Sequence, residues 1–378
     1  MDKVRCYFVN NVLFMPIGVI SMQAPLEVHI VAVPETAGSA LYGMKDVLMS
    51  AGSLWQELVR ETGEPLFTVS IVSPRKRAFD CGNGIPVKPD LSLAEAQIAR
   101  IVILPELWLG PDESVRGRYE EVVNWVRQQY QQGATIYSAC SGSILLAETG
   151  LLDGSPATSH WGYKSLFELQ YPQIHFNPDS NLVFADDEGR IVTAGGTTSW
   201  HDLALHIIAR YGSPAEAMRI AKVYLLKWHG EGQLPYAALG KHILHDDALV
   251  QSCEAKLKED YRRIDAITRV LAYAAIPERT LKRRFKLATG SSLLEYIQNL
   301  RIEEAKRLLE SHGIPVAEIS VLVGYEDTSF FRRLFKRLTG LPPNQYRRIF
   351  RPIVTESGGD GANKCVASAN AVSNGLIH

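Results

Sequence analysis

The sequence predicts an α/β domain built on an open parallel sheet, followed by an all-α domain. Three observations carry this. Up to about Gly212 short apolar runs alternate with amphipathic helical stretches, the signature of a sheet covered on both faces. From Asp260 the pattern changes to dense helix. Charge divides the same way: residues 255–351 hold 20 Lys and Arg against 11 Asp and Glu, a net of +9. That leaves −10 on the remainder of a chain whose total is −1. A length of 378 residues with 46% hydrophobic content suffices for about two cores. A basic C-terminal third on an acidic body points to one domain for a polyanion and one for a different partner. A solvated, Arg-rich helical face is the plain alternative reading of the charge.

Residues 1–24 read as an extension without a clear assignment. Pro16 interrupts "VLFMPIGVIS", no small-residue cleavage site follows, and Met22 is an alternative start. "LEVHIVAVP" (26–34) is the first strand, followed by a helix over "SALYGMKDVLMSA". "PLFTVSIVS" (65–73) and "IVILPE" (101–106) are further strands, and "VRGRYEEVVNWVRQQY" (115–130) is an amphipathic helix. "ATIY" (134–137) is a short buried strand; Ile144, Leu145 and Ala147 open a helix that Gly150 ends. These elements make a domain over 25–236, with a linker over 237–255. An all-α domain covers 256–350, and a Gly/Ala/Ser/Asn-rich tail expected to be disordered covers 351–378.

Cys140 falls at a strand-to-helix turn, where unpaired N–H groups and the helix dipole favour a thiolate. His160 lies twenty residues on, which supplies the residue pair needed to make and use one. In open parallel sheets the ligand crevice lies beyond the carboxyl ends of the strands, so Cys140 and the residues after Pro105 are expected there. The five cysteines are scattered and form no CxxC pair, which excludes a disulfide framework or zinc module and points to a reducing compartment. There is no GxGxxG and no GxxxxGK[ST], and no apolar run approaches the roughly 20 residues of a membrane span. His242 and His245 sit three apart on an expected linker helix, without further clustered ligands for a metal.

"CSGSILLAETGLLDGSPATSHW" resembles the core signature of the DJ-1/PfpI, or class I glutamine amidotransferase-like, superfamily. More narrowly it resembles the amidase-like domain of one branch of the AraC-family regulators. "IVTAGGTTSWHDLALHIIARYG" (191–212) and "KWHGEGQLPY" (227–236) resemble that branch too. The resemblance implies a flavodoxin-like sheet over residues 25–236. It also exposes two departures. The acidic residue that supports catalysis in many relatives falls near Ala40, where no carboxylate stands. The glycine pair expected after "ILP" reads Glu106-Leu107, which crowds an oxyanion site and sets a carboxylate against it. Cys140 and His160 are therefore read as vestiges of a catalytic pair, in a pocket that senses a metabolite. Glu106, Trp108, Cys140, Ser141, His160, Trp161 and Trp200 are its candidate lining. Aromatic faces with one carboxylate suit a cationic amine, and some regulators of this branch are thought to sense amino acids or amines.

In the last third, "RRIDAITRVLAYAAIPERTLKRRFKLATG" (262–290) reads as helix, tight turn, helix. Leu281 and Phe285 point inward, while Arg279, Lys282, Arg283 and Lys286 lie away from that stripe. The pattern recurs in "VAEISVLVGYEDTSFFRRLFKRLTG" (316–340). There Gly324 is at the turn, Asp327 is near the N-cap, Phe331 and Phe335 point inward, and Thr328, Ser329, Arg332 and Arg333 point outward. "LLEYIQNLRIEEAKRLLES" (293–311) joins the two. This arrangement resembles the AraC/XylS-type double helix-turn-helix domain, and "GYEDTSFFRRLFKRLTGLPPNQYRR" follows that family's C-terminal signature. Ala275 stands where the family's first turn has glycine, and Pro277 where it has a Ser-type cap. The resemblance implies two recognition helices in successive major grooves, with Arg347 and Arg348 on phosphates.

The expectation is a cytoplasmic, homodimeric transcription regulator that takes a small-molecule effector, double-stranded promoter DNA and RNA polymerase as partners. It has no cofactor, metal or membrane requirement, and activation is the expected mode. The rival reading is a cysteine-dependent amidase or glyoxalase-like hydrolase with an appended DNA-binding domain.

Overall fold

The computed structural model describes residues 24–239 and 245–351, with the backbone of a hairpin pairing Tyr7–Val9 and Val12–Phe14. The expected extension over 1–24 otherwise lies outside the described residues up to residue 23, as does the tail beyond Arg351. Two units form, Met1–Ala237 and Ala238–His378.

In the first unit the apolar runs pair as a seven-stranded sheet. Its strands are β1 (Leu26–Val31), β2 (Phe67–Ser73), β3 (Leu91–Ser92), β4 (Ile101–Leu104), β5 (Thr135–Ala139), β6 (Leu182–Phe184) and β7 (Ile191–Ala194). Their order is β6-β7-β5-β4-β1-β2-β3, and every pairing is parallel except the edge strand β6 on β7. β4, β5 and β7 are buried along their whole length, which is why they read as continuous apolar runs rather than alternating ones. The covering helices are α1 (Gly38–Met49), α2 (Glu120–Gln131), α3 (Gly142–Ala147), α4 (Lys164–Gln170), α5 (Trp200–Tyr211) and α6 (Pro214–Tyr224). α1, α5 and α6 close one core with Ile30, Ile103 and Tyr137; α2, α3 and α4 close another with Val31, Val102 and Ile136. Each fully buried Ile or Leu contributes about 1.5–3 kcal/mol, so the two layers hold the sheet between them. α2 starts at Glu120 rather than 115, after a turn whose Arg118 is drawn onto Glu35 and Glu113.

The second unit is helical throughout its described residues: α7 (Ala248–Asp260), α8 (Ala266–Ala274), α9 (Glu278–Thr289), α10 (Leu293–Ser311), α11 (Val316–Leu322), α12 (Thr328–Thr339) and α13 (Pro343–Phe350). α7 takes up the C-terminal part of the stretch expected to be linker, because Val250, Cys253 and Leu257 form one buried stripe against Val270 and Phe285. His242 lies outside the described residues. His245 precedes α7, and its Nε2 meets Glu254 at 3.1 Å. α10 belongs to two cores at once. Leu293, Tyr296 and Ile297 pack with α7–α9, and Ile302, Ala305 and Leu309 pack with α11–α13. A capping box between Ser292 and Glu295 fixes its start.

Candidate functional site

Both ends of the chain's chemistry are built on turns. In the first unit β5 runs into α3 through Cys140, whose φ is +53°, a left-handed conformation costly for a side chain with a Cβ. Two contacts hold it. Cys140 N–H donates to the Ala194 carbonyl at 2.9 Å. Gly142 lets α3 start against the end of β4, where a Cβ would stand 2.2 Å from the Leu104 carbonyl oxygen.

The thiol faces Glu106, which follows β4 through Pro105. Cys140 Sγ donates to Glu106 Oε1 at 3.5 Å, and Thr197 Oγ1 donates to the same oxygen at 3.0 Å. Glu106 is only 4% exposed, and its Oε2 is buried without a hydrogen-bond partner. Burial raises the Glu106 carboxyl above its ordinary value, against the lowering effect of the Thr197 and Cys140 hydrogen bonds. Burial first, and Glu106 second, push the Cys140 thiol far above the usual range. The thiolate expected from the helix dipole is thus overridden, and the sulfur stays protonated.

Ser141 lies beside the thiol, and its hydroxyl bridges the Leu107 backbone, accepting from the N–H at 2.8 Å and donating to the carbonyl at 2.6 Å. The N–H after Glu106, the natural oxyanion donor, is therefore already engaged. His160 Nδ1 accepts from Gly162 N–H at 3.1 Å, and burial lowers its pKa, so the imidazole is a neutral turn cap.

Among the described residues the three tryptophans do not stack on one another. Trp161 lies on the His160 ring at 4.9 Å, half-exposed Trp108 lies over Gly82, and Trp200 is buried in the α1/α5 core beside His201. Thr197 and Gln233 are the residues that sequence reasoning missed. Gln233 sits on the segment after α6 and accepts from Trp161 N–H at 3.1 Å. Both lie in stretches whose resemblance was legible, but nothing local marks which side chain turns inward. A separate cleft of about 480 Å³ opens past the ends of β1 and β2, lined by Pro34, Ser73, Pro74, Arg75, Arg77 and Phe79. Among the described residues there is no group of three or more His, Cys, Asp or Glu able to hold a metal. No helix there is long and apolar enough to cross a membrane.

In the second unit α9 buries Leu281 and Phe285 and leaves Arg279, Lys282, Arg283 and Lys286 exposed. Lys282 pairs with Glu278 one turn back, at 2.5 Å. Arg284 turns aside to Asp247, at 2.7 and 2.9 Å. α12 buries Phe331, Leu334 and Phe335, exposes Ser329, Arg332 and Arg333, and leaves Thr328 half-buried. Asp327 caps it, accepting from Ser329 N–H at 2.8 Å and Phe330 N–H at 3.0 Å, and these bonds hold its carboxyl below the usual range. Ala275 adopts φ +51° at the first turn, where Gly324 adopts +92° at the second. Pro277 occupies the N-cap of α9 and provides no side-chain cap. Arg348 is exposed, but Arg347 is half-buried and donates to the Ile314 carbonyl at 2.6 Å. Burial lowers its pKa. Arg301, unremarked in the sequence, crosses between the two halves: it donates to the Tyr261, Arg263 and Gly324 carbonyls at 2.7–3.0 Å and lies over the Tyr325 ring.

Comparison with known proteins matches this division. The DJ-1/PfpI family matches residues 39–210, and a helix-turn-helix domain family matches 270–349. The HTH-type transcriptional regulator CdhR of Pseudomonas aeruginosa is 26% identical over 263 residues, covering 67% of this chain and 75% of that protein. The HTH-type transcriptional regulator GbdR of the same species is 25% identical over 301 residues, covering 78% and 79%. Drosophila melanogaster DJ-1beta aligns in structure with a TM-score of 0.44 and 20% identity, over 54% of this chain and 100% of that one.

Proposed function

We propose, on the premise that this chain belongs to the AraC-type helix-turn-helix regulators carrying an N-terminal DJ-1/PfpI domain, that it reads promoter DNA through α9 and α12 under control of a small cationic effector. The observation that carries the DNA reading is the pair of helices on one armature, each burying an apolar stripe (Leu281 and Phe285; Phe331, Leu334 and Phe335) and presenting arginines outward. In B-DNA two such helices address successive major grooves about 34 Å apart. Arg279, Lys282, Arg283 and Lys286 act from α9. Thr328, Ser329, Arg332 and Arg333 act from α12, with Arg348 on the backbone. Each base-reading arginine contributes about 1–3 kcal/mol of discrimination. Duplexes selected from a random pool by the full chain provide the test. Replacing Arg332 and Arg333 by alanine is expected to weaken binding to them by roughly 10-fold or more, and undiminished binding would remove α12 from the interface.

Glu106 supports the effector reading. A buried carboxylate with one unpartnered oxygen is satisfied by a cation better than by any neutral group. An amino acid or amine, its positive end at Glu106 and Cys140 on the pocket wall, answers that demand. Ser141, His160 and Trp161 adjoin the same site. The protonated thiol and the engaged Leu107 N–H support binding without turnover. The protein acts in the cytoplasm as a homodimer and activates through RNA polymerase. A thermal-shift screen of amino acids and quaternary amines on the full chain tests the effector. A stabilising compound recovered unchanged is the expected result, and its conversion to product would establish the hydrolase reading instead.

A further inference from the structure

The segment that leaves the first unit, residues 227–237, is pinned onto the pocket by a side chain that the regulator reading leaves unassigned. Gln233 is only 3% exposed. Its Nε2 lies within hydrogen-bond reach of Thr158 Oγ1 (3.2 Å) and of the Ser159 and Ser180 carbonyls (2.9 and 3.0 Å), while its Oε1 takes the Trp161 N–H. Ser159 ties these groups to the elbow by donating to the Cys140 carbonyl at 2.8 Å, beside the proposed effector site. Gln233 also packs on the Gly195-Gly196 backbone that leads to Thr197. A Cβ on Gly195 would stand 2.2 Å from Gln233 Nε2, so the carboxamide lies flat against that backbone. Two residues on, Thr197 holds Glu106.

The same segment has a second anchor and a sharp exit. The buried Asp202 accepts from His229 N–H at 3.0 Å and meets its Nδ1 at 2.9 Å. After Gln233 the backbone turns, with the Tyr236 and Ala237 N–H groups both donating to the Gln233 carbonyl. The unit ends there, at Ala237.

A long, flexible, uncharged side chain buried with both ends of its amide engaged is a costly element to order unless its position matters. We propose that Gln233 is the positioning residue through which the Glu106–Cys140–Thr197 pocket controls the segment leading out of the sensory unit. Any group that displaces the His160–Trp161 turn displaces the donor to Gln233 Oε1, and one that displaces Thr197 shifts the Gly195-Gly196 backbone on which the Gln233 carboxamide packs; either moves 229–237. The inference rests on the pocket being the effector site, but its test uses no effector, so the two can fail separately.

The experiment is hydrogen exchange by mass spectrometry on the full chain, in a cycle of wild type, Glu106→Gln, Gln233→Ala and the double variant. Gln233→Ala is expected to speed exchange of the 229–237 amides roughly tenfold. Glu106→Gln, which alters the partner of Thr197, is expected to speed it several-fold with Gln233 present and to add nothing without it. A purely structural glutamine would leave the two effects independent. Equal factors in both backgrounds, or exchange at the wild-type rate in Gln233→Ala, would overturn the proposal. If Gln233→Ala does not fold, Gln233→Glu replaces it in the cycle, because it keeps the volume and the Trp161 acceptor but sets an oxygen against the Ser159 and Ser180 carbonyls. The same non-additivity is expected.

Discussion

Glu106 is where a single side chain changes what the elbow can do. In the resembling enzymes an acid from the first helix supports the thiol. Here Ala40 occupies that region, fully buried in the α1 core, and a carboxylate reaches the sulfur from the end of β4 instead. Among the described residues no cation pairs with it, and burial raises its pKa above the unfolded value. A raised folded pKa means that the group's contribution to stability is whole below its ordinary value of 4.5 and is lost as pH rises through the raised one. Glu106→Gln cannot ionise, so its melting temperature is expected to exceed wild type at pH 8. The gap is expected to close on titration below pH 4.5, with about 2–4 °C for each kcal/mol involved. Thermal melts of both proteins across pH 4–8 check the sign, and a gap that widens toward acid would refute the assignment. The cysteine, its elbow and its flanking elements were legible in the sequence, because a buried strand meeting a helix at a Cys is a local pattern. Glu106 was legible as a lining carboxylate, but its direct contact with the thiol was not, because Glu106 and Cys140 are 34 residues apart and only strand pairing brings them together.

At the scale of elements, the two helix-turn-helix motifs differ in their turns and caps while sharing a core design. The second has glycine at its left-handed position, where a Cβ would stand 2.4 Å from the Arg262 carbonyl oxygen, and an aspartate cap. The first sets Ala275 at φ +51° and has only Pro277 before α9. Relieving the left-handed strain by Ala275→Gly is expected to stabilise the protein by about 0.5–1 kcal/mol. Urea denaturation checks this, and a loss of stability would show that the Ala275 methyl packs usefully. The inward and outward faces of α9 and α12 were readable from helical periodicity, because Leu281 and Phe285, like Phe331 and Phe335, recur every four residues. Arg347 was not readable. Its neighbour Arg348 carries the same charge one position away, and only the approach of the Ile314 carbonyl distinguishes them.

At the scale of the molecule, the acidic and basic parts of the sequence became a sheet-based unit and a helical unit, and in the latter α10 and Arg301 make one body of two motifs. Arg301 satisfies carbonyls ahead of the first motif, at Tyr261 and Arg263, and in the turn of the second, at Gly324. Arg301→Met keeps the stem and removes all three charge-assisted bonds, an expected cost on the order of 3 kcal/mol. Both α9 and α12 are expected to lose exchange protection together in this variant. Loss confined to α12 would show that the two halves are held by α10 packing alone.

Fold class, the elbow and the outward faces of α9 and α12 were legible in the sequence alone, because each is written in residues close enough along the chain to share a helix, a strand or a turn. Which groups meet was decided only by the tertiary structure. Glu106 meets Thr197 across 91 residues, Trp161 meets Gln233 across 72, and Arg301 meets Tyr261 across 40. Polar side chains of this kind carry no periodic signal, and their partners are chosen by whatever donor or acceptor the packed elements bring within about 3 Å.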